Sequence, residues 1–442
     1  MGRLFGTDGV RGVANLDLTP DLVLALGRAA GRVLAEDGGA VVIGRDTRVS
    51  GPMLEGALLA GLASAGAQVR LAGILPTPGV AFLVIDENAR AGAVISASHN
   101  PVPDNGIKFF SELGKKLPEA VEETIEEAMA TDPSSQPTGA EVGGASRIED
   151  PVDRYTQHLL KGLDGDLGGL KIVLDCAHGA AWLVGPEAFR RAGAQVVAIH
   201  DTPDGSRINV DSGSTAMGQL AERVVAEGAA MGLAFDGDAD RVLAVDEKGG
   251  SVDGDRIIGM LGLQLHETGR LHNEMVVATV MSNLGFRRAL EGRGVEVILA
   301  AVGDKFVAEA MTESGAVLGG EQSGHVIFGE HATTGDGVMT GLQVARAVAR
   351  TGTPLSRLAH FFEPFPQVLI NVDTPHKDDL DEAGGLWDDI RAAEESLGED
   401  GRVLVRASGT EPLVRVMVEA ADETIARRTA EDLADSVRRH LG

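Results

Sequence analysis

Short apolar runs alternate with longer stretches of helical periodicity along most of the chain. Val41-Val42-Ile43 reads as a buried strand, residues 52–64 as a helix, and Ala65-Gly66-Ala67-Gln68-Val69 as the passage from that helix into the next strand. The same succession returns at Lys171-Ile172-Val173-Leu174-Asp175, a helix to residue 191, and Ala192-Gly193-Ala194-Gln195-Val196. It returns again at Met275-Val276-Val277-Ala278, a helix over 284–291, and Arg293-Gly294-Val295-Glu296-Val297. In each case glycine falls where a helix ends and a buried strand begins, as a C-terminal cap does. Strands that alternate with helices imply parallel sheets, so the pattern predicts three related α/β units.

Each unit carries a second apolar strand that runs into a polar loop. Ala91-Gly92-Ala93-Val94-Ile95 leads to Ser96-Ala97-Ser98-His99-Asn100-Pro101, Met231-Gly232-Leu233-Ala234-Phe235 to Asp236-Gly237-Asp238-Ala239-Asp240-Arg241, and Ala316-Val317-Leu318-Gly319-Gly320 to Glu321-Gln322-Ser323-Gly324-His325. Ligands of open α/β sheets bind beyond the carboxyl ends of the strands, so the three loops are expected to wall one cleft. Residues 131–144 and 162–169 are rich in Gly, Pro and small polar or acidic residues and read as breaks, and Pro364-Phe365-Pro366 punctuates the chain after the third unit. Beyond it come a strand over 368–372, an acidic helix to residue 397, strands over 402–406 and 413–418, and an amphipathic helix over 424–440. The predicted organisation is α/β: three related mixed or parallel-sheet domains around a central cleft, at residues 1–150, 151–252 and 253–364, and a smaller C-terminal α+β domain at 365–442.

Charge changes the picture of what the cleft can bind. The 442 residues carry 66 acidic and 39 basic side chains, a net −27. Such a chain will not hold nucleic acid through bulk electrostatics or an anionic membrane surface, and an anionic substrate must meet local basic groups. Eight of the basic residues are Lys, so a Lys inside a motif loop is informative. Cys176 is the sole cysteine, which excludes an internal disulfide and a multi-Cys zinc site. The start lacks the apolar stretch of a signal peptide, and no run of about 18 apolar residues exists; a cytoplasmic location is expected.

Asp236, Asp238 and Asp240 repel one another unless a cation neutralises them, and hard oxygen ligands suit Mg²⁺ or Ca²⁺. The spacing mimics an EF-hand, but Arg241 stands where that loop needs Gly and strands flank it, so an EF-hand is rejected. Ser98 reads as a nucleophile, a phosphate acceptor or a cap; Ser96 and Asn100 replace the glycines of a serine-hydrolase elbow. His99 beside it is either a structural histidine or part of the chemistry. Asn105-Gly106 marks a tight turn that would aim Lys108 back at the same strand end, as a proton shuttle or phosphate contact. Lys305, in Gly303-Asp304-Lys305, is another loop lysine. Arg406-Ala407-Ser408-Gly409-Thr410-Glu411-Pro412, with Arg415 on the next strand, offers backbone N–H groups, hydroxyls and guanidinium groups to a phosphate.

Together these loops, with Phe5-Gly6-Thr7-Asp8-Gly9-Val10-Arg11-Gly12, resemble those of the α-D-phosphohexomutases nearly end to end, and Ser96 and Gln322 look like the phosphoglucosamine branch. The resemblance implies that Ser98 is carried as phosphoserine and that Asp236, Asp238, Asp240 and a Ser98 phosphate oxygen hold one Mg²⁺. It assigns sugar hydroxyls to Glu321 and Ser323, with Gly303 and Asp304 also on the substrate. The substrate's non-reacting phosphate goes to Arg406, Ser408, Gly409, Thr410 and Arg415. Lys108 and His99 would assist transfer, and Thr7 and Arg11 would brace the Ser98 loop at the substrate. The implied reaction converts glucosamine 6-phosphate to glucosamine 1-phosphate, with glucosamine 1,6-bisphosphate as intermediate and activator, feeding cell-wall amino-sugar nucleotide synthesis. Partners would be small sugar phosphates and a kinase or bisphosphate that first charges Ser98, with room for a homodimer. Phosphomannomutase or phosphoglucomutase activity, and a non-catalytic sugar-phosphate sensor, are the alternatives.

Overall fold

The computed structural model of the chain describes residues 4–6, 8–131, 136–408 and 412–442. Four sheets of six, five, four and three strands follow one another along the sequence. In the first, Ala40–Arg45 lies parallel between Gln68–Ile74 and Ala91–Ile95. Asp104–Ser111 then pairs antiparallel with Ala91–Ile95 and carries Val10–Val13 at the edge. The second and third sheets repeat the centre: Lys171–Asp175 is parallel to Gln195–Ile199 and Met231–Phe235, and Met275–Thr279 to Glu296–Ala300 and Leu318–Gly320. The fourth sheet is antiparallel, with Leu413–Ala420 between Gln367–Asp373 and Gly401–Ala407. Three mixed α/β sheets and a smaller antiparallel one match the fold class expected from the sequence.

The expected joints are present. Helices Gly51–Ser64, Ala181–Arg191 and Leu284–Glu291 follow the three central strands. Gly66, Gly193 and Gly294 then take φ of +96°, +97° and +82°, left-handed conformations that a residue with a Cβ adopts at a cost. One continuous apolar core, from Val42 through Phe189 and Leu233 to Phe362, runs through the first three units. The fourth unit has a core of its own around Leu386, Val416 and Val437. Among the described residues no helix is long and apolar enough to cross a membrane.

One local expectation is overturned. Asn105 and Gly106 form no tight turn; they lie inside strand Asp104–Ser111, opposite Gly12 and Arg11. The chain reverses earlier, at Asn100 to Pro103. The pairing with Val10–Val13 decides the conformation against the local Asn-Gly preference, and Lys108 is aimed by its register opposite Val94.

Candidate active site

Ser98 lies where strand Ala91–Ile95 ends. Its φ of +51° is left-handed, which costs a residue with a side chain about 1–2 kcal/mol, and groups from elsewhere hold it there. The Arg48 side chain is fully buried. Its guanidinium donates to four carbonyls of the serine loop: Ser98 at 3.0 Å, Asn100 at 2.8 Å, Pro101 at 2.5 Å and Asp104 at 2.9 Å. Its Nε donates to Asp46 Oδ2 at 3.0 Å. That oxygen also accepts Ser96 Oγ–H at 2.6 Å, and Ser96 Oγ accepts the Ser98 N–H at 2.9 Å. From the second unit, Asn209 Nδ2 donates to Ser98 O at 2.9 Å. Arg11 Nη1 donates to Asn100 Oδ1 at 3.3 Å.

The acidic loop faces this serine across the first two units. Ser98 Oγ donates to Asp236 Oδ2 at 2.6 Å. A Cβ on Gly237 would come within 2.6 Å of Ser98 O, so the absence of a side chain lets the loops touch. Ala239 turns through φ +55°, which bends the segment so that one oxygen from each of Asp236, Asp238 and Asp240 lies within 4.8 Å of the others. All three are buried. Burial first, then Asp240 and Asp238, push the Asp236 carboxyl well above the usual carboxylate range. Asp238 Oδ1 and Asp240 Oδ1 are buried without a hydrogen-bond partner. Three hard donors, two of them with an orphaned oxygen, fit a divalent cation.

Lys108, 2% exposed, puts Nζ 3.1 Å from Asp8, 3.2 Å from Asp238 and 3.5 Å from Asp240. Burial favours losing its proton, but Asp238, Asp8 and Asp240 outweigh that and hold it well above the usual lysine range. Lys108 is therefore a cation in this arrangement, placed to meet a phosphate or to hand on a proton. His99 Nδ1 lies 3.2 Å from Ser98 Oγ and accepts from Arg241 Nη1 at 3.1 Å. Burial, then Arg241 and Arg11, bring its pKa down to about 4, so the ring is neutral at pH 7 with its proton on Nε2. His325 accepts the Gly335 N–H at Nε2, 3.0 Å away, which leaves the proton on Nδ1 facing Asp240 at 3.8 Å.

A cavity of about 580 Å³ opens above these groups, and all four units line it: Arg11 and His99, Arg241, Glu321 and Ser323, and Arg415. Glu321 Oε1 accepts the Gly303 N–H at 3.1 Å, while Ser323 sits exposed in the hairpin between Leu318–Gly320 and Val326–Phe328. Asp304 also borders the cavity, but its carboxylate is paired with Lys116 Nζ at 2.5 Å. Lys305 lines a neighbouring cavity beside Phe306. Arg406 lies directly opposite Arg415 across two strands, and burial, then Arg415, lower its pKa; two facing guanidinium groups can grip a phosphate. Ser408 is buried, with its carbonyl accepting from Lys377 Nζ at 2.7 Å. Thr7, Gly409 and Thr410 lie outside the described residues.

Asp46, Arg48, Thr77 and Asn209 join the site without belonging to any motif of the sequence. Thr77 Oγ1 donates to Asp238 Oδ2 at 2.6 Å. The one available signal was position: Asp46 and Arg48 directly follow strand Ala40–Arg45, at the strand end where α/β sites gather.

Comparison with known proteins agrees with this geometry. Phosphoglucomutase/phosphomannomutase models match in order along the chain: alpha/beta/alpha domain I over residues 2–136, domain II over 153–250, domain III over 253–365, and the C-terminal domain over 369–436. A phosphoglucosamine mutase from Streptomyces griseus subsp. griseus is 53% identical over 100% of both chains, and one from Moorella thermoacetica is 54% identical over 96% of both. The structure of a phosphoglucomutase/phosphomannomutase family protein from Burkholderia thailandensis superposes with a TM-score of 0.84 at 26% identity, covering 99% of this chain and 97% of that one. Aspergillus fumigatus N-acetylphosphoglucosamine mutase, solved with GlcNAc-6P and magnesium, shares the fold at a TM-score of 0.71 and 18% identity, over 99% and 96% of the two chains. Four consecutive domain matches and full-length identity above one half leave one conclusion: the chain belongs to the phosphoglucomutase/phosphomannomutase family.

Proposed function

We propose that the chain interconverts glucosamine 6-phosphate and glucosamine 1-phosphate by phosphoryl transfer through Ser98. The observation that carries this reading is the 2.6 Å contact between Ser98 Oγ and Asp236, whose chain neighbours His99 and Asp240 line a cavity that all four units share. The choice of an amino sugar rests on the full-length relatives.

In this reading Ser98 begins as phosphoserine. A hydroxyl of the bound sugar phosphate attacks phosphorus; the new O–P bond forms as the Ser98 Oγ–P bond breaks. The proton lost by the sugar ends on Ser98 Oγ, where it is shared with Asp236. The product is glucosamine 1,6-bisphosphate. After it reorients, the step runs in reverse at the other phosphate and Ser98 is recharged; a bisphosphate or a kinase supplies the first phosphoryl group. Such transfers depend on positioning and charge neutralisation. Lys108 contributes a cation that can also hand on the sugar hydroxyl proton, and neutral His99 an Nε2–H donor. A Mg²⁺ ion held by Asp236, Asp238, Asp240 and a Ser98 phosphate oxygen would neutralise further charge on the transferring group. Glu321 and Ser323, with Gly303 and Asp304 behind them, take the sugar. Arg11 and Thr7 steady the serine loop. Arg406, Ser408, Gly409, Thr410 and Arg415 hold the phosphate that is not reacting. Residues 1–150, 151–252, 253–364 and 365–442 then act as four domains, one wall each.

A panel of hexose and hexosamine 6-phosphates with Mg²⁺ tests this. Glucosamine 6-phosphate should give the highest kcat/KM; a higher value for mannose or glucose 6-phosphate would move the assignment to phosphomannomutase or phosphoglucomutase. Binding of all with turnover of none would leave a sugar-phosphate sensor.

A further inference from the structure

At the junction between the third and fourth units lies a buried polar cluster to which the account above gives no role. Glu419 is fully buried. It accepts from Arg402 Nε at 2.6 Å, the Leu284 N–H at 2.9 Å, Asn283 Nδ2 at 3.2 Å and Gln367 Nε2 at 2.9 Å. The Leu284 amide opens helix Leu284–Glu291, so a carboxylate from the fourth unit sits at the electropositive end of a helix of the third. Arg402 also donates to Val280 O at 2.9 Å and Ser282 O at 2.6 Å. Those carbonyls flank Met281, which lines the central cavity with Thr279. Asn283 bonds both the N–H and the C=O of Phe365, at 2.9 Å and 3.0 Å, in the segment that leads into the fourth unit.

The strand register links this cluster to the phosphate grip. Arg402 lies opposite Glu419, and Arg406 opposite Arg415, on the same two strands. The pairs are offset by four positions, an even number, so all four side chains share one face of the sheet, about 13 Å apart along the strands. The alternate positions, Val403, Val405, Val416 and Val418, belong to the fourth unit's own core. One end of this face is bonded to the loop that lines the cleft, and the other presents Arg415 to the cleft. A buried ion pair is seldom the most stabilising way to fill an interface, but it does fix relative placement.

We propose that Glu419 and Arg402 are positioning residues for the substrate phosphate: by clamping the hairpin to residues 280–284 they set the reach of Arg406 and Arg415 over the cavity. This rests on the reading that those two arginines hold the non-reacting phosphate.

The test is a mutant cycle of Glu419→Gln and Arg402→Lys with Arg415→Ala, assayed with glucosamine 6-phosphate. Losing one charge-assisted bond should raise KM about tenfold, while kcat moves less than about threefold. Because the clamp acts through Arg415, adding Glu419→Gln to Arg415→Ala should raise KM little further. An unchanged KM in both single variants, or a full tenfold rise on top of Arg415→Ala, would overturn the proposal. If Glu419→Gln does not fold, Arg402→Lys carries the same comparison. If the wild-type protein turns over no substrate in the panel, the mutase reading falls by itself, and the cycle is read in the dissociation constant for inorganic phosphate, with the same outcomes.

Discussion

In the proposed reaction the serine loop and the fourth-unit hairpin handle the same substrate in opposite ways. The serine loop is locked. Four of its carbonyls are tied to one buried guanidinium, Ser98 Oγ touches a neighbouring carboxylate, and the units on either side share one apolar core. The hairpin belongs to a body with a separate core, joined to the rest through the Phe365 segment and the Glu419 cluster. Phosphoryl transfer needs a fixed oxygen-to-metal-site geometry, and effective positioning is worth several kcal/mol. Holding the far phosphate makes a different demand, because the bisphosphate must present each of its phosphates in turn. On the proposed reading, the rigid serine loop serves the first task and a body with its own core serves the second.

That contrast is breakable. Ser98→Ala should cut turnover by about 10⁴-fold or more; near-normal mutase rates would remove Ser98 from the chemistry. Chelation should lower the rate by at least about 100-fold, reversed by Mg²⁺, and unchanged rates in chelator would show that the Asp236, Asp238 and Asp240 cluster holds no needed cation. Arg48→Lys keeps the charge but cannot reach four carbonyls at once. It should lower kcat about 100-fold through loss of two or more charged hydrogen bonds, with KM nearly constant, whereas a variant that changed KM alone would make Arg48 a binding residue. Arg415→Ala should do the reverse and raise KM about tenfold; an unchanged KM would take the phosphate grip away from the hairpin.

The smallest effect concerns the junction itself. Asp255, which accepts the Asn283 N–H at 2.8 Å, is pushed up to about 7 by burial and then by Asp253. Its native pKa exceeds its unfolded one, so its contribution to stability is complete at low pH and is lost as pH rises through about 7. Asp255→Asn should flatten the fall in Tm between about pH 5 and pH 8. A curve parallel to the wild type would place the titration elsewhere.

Much of this was legible in the chain, for physical reasons that also mark where reading failed. The helix-glycine-strand joints are local: apolar periodicity and a required left-handed residue both lie within a few positions of Gly66, Gly193 and Gly294. The loops at Ser98, Asp236 and Glu321 stood out because polar residues interrupt buried strands. Arg48 left no signal beyond its position after a strand, because four of its partners are backbone carbonyls from residues 98–104, and no residue type announces a carbonyl. Asn105-Gly106 misled because a turn preference is local and strand pairing with residues 10–13 is not. The surroundings of Lys108 were not legible, because only the folded site brings Asp8, Asp238 and Asp240 around it. Glu419 did leave a signal, a lone acid in the apolar run Val416-Met417-Val418, but its meaning depends on Asn283 and Leu284.

The central claim is that Ser98 stores the phosphoryl group between half-reactions. Intact-mass analysis with peptide mapping, after incubation with glucosamine 1,6-bisphosphate and Mg²⁺, tests it directly. The account predicts one phosphate per chain, on Ser98, discharged by glucosamine 6-phosphate. A chain that turns over substrate while Ser98 stays unmodified would contradict it.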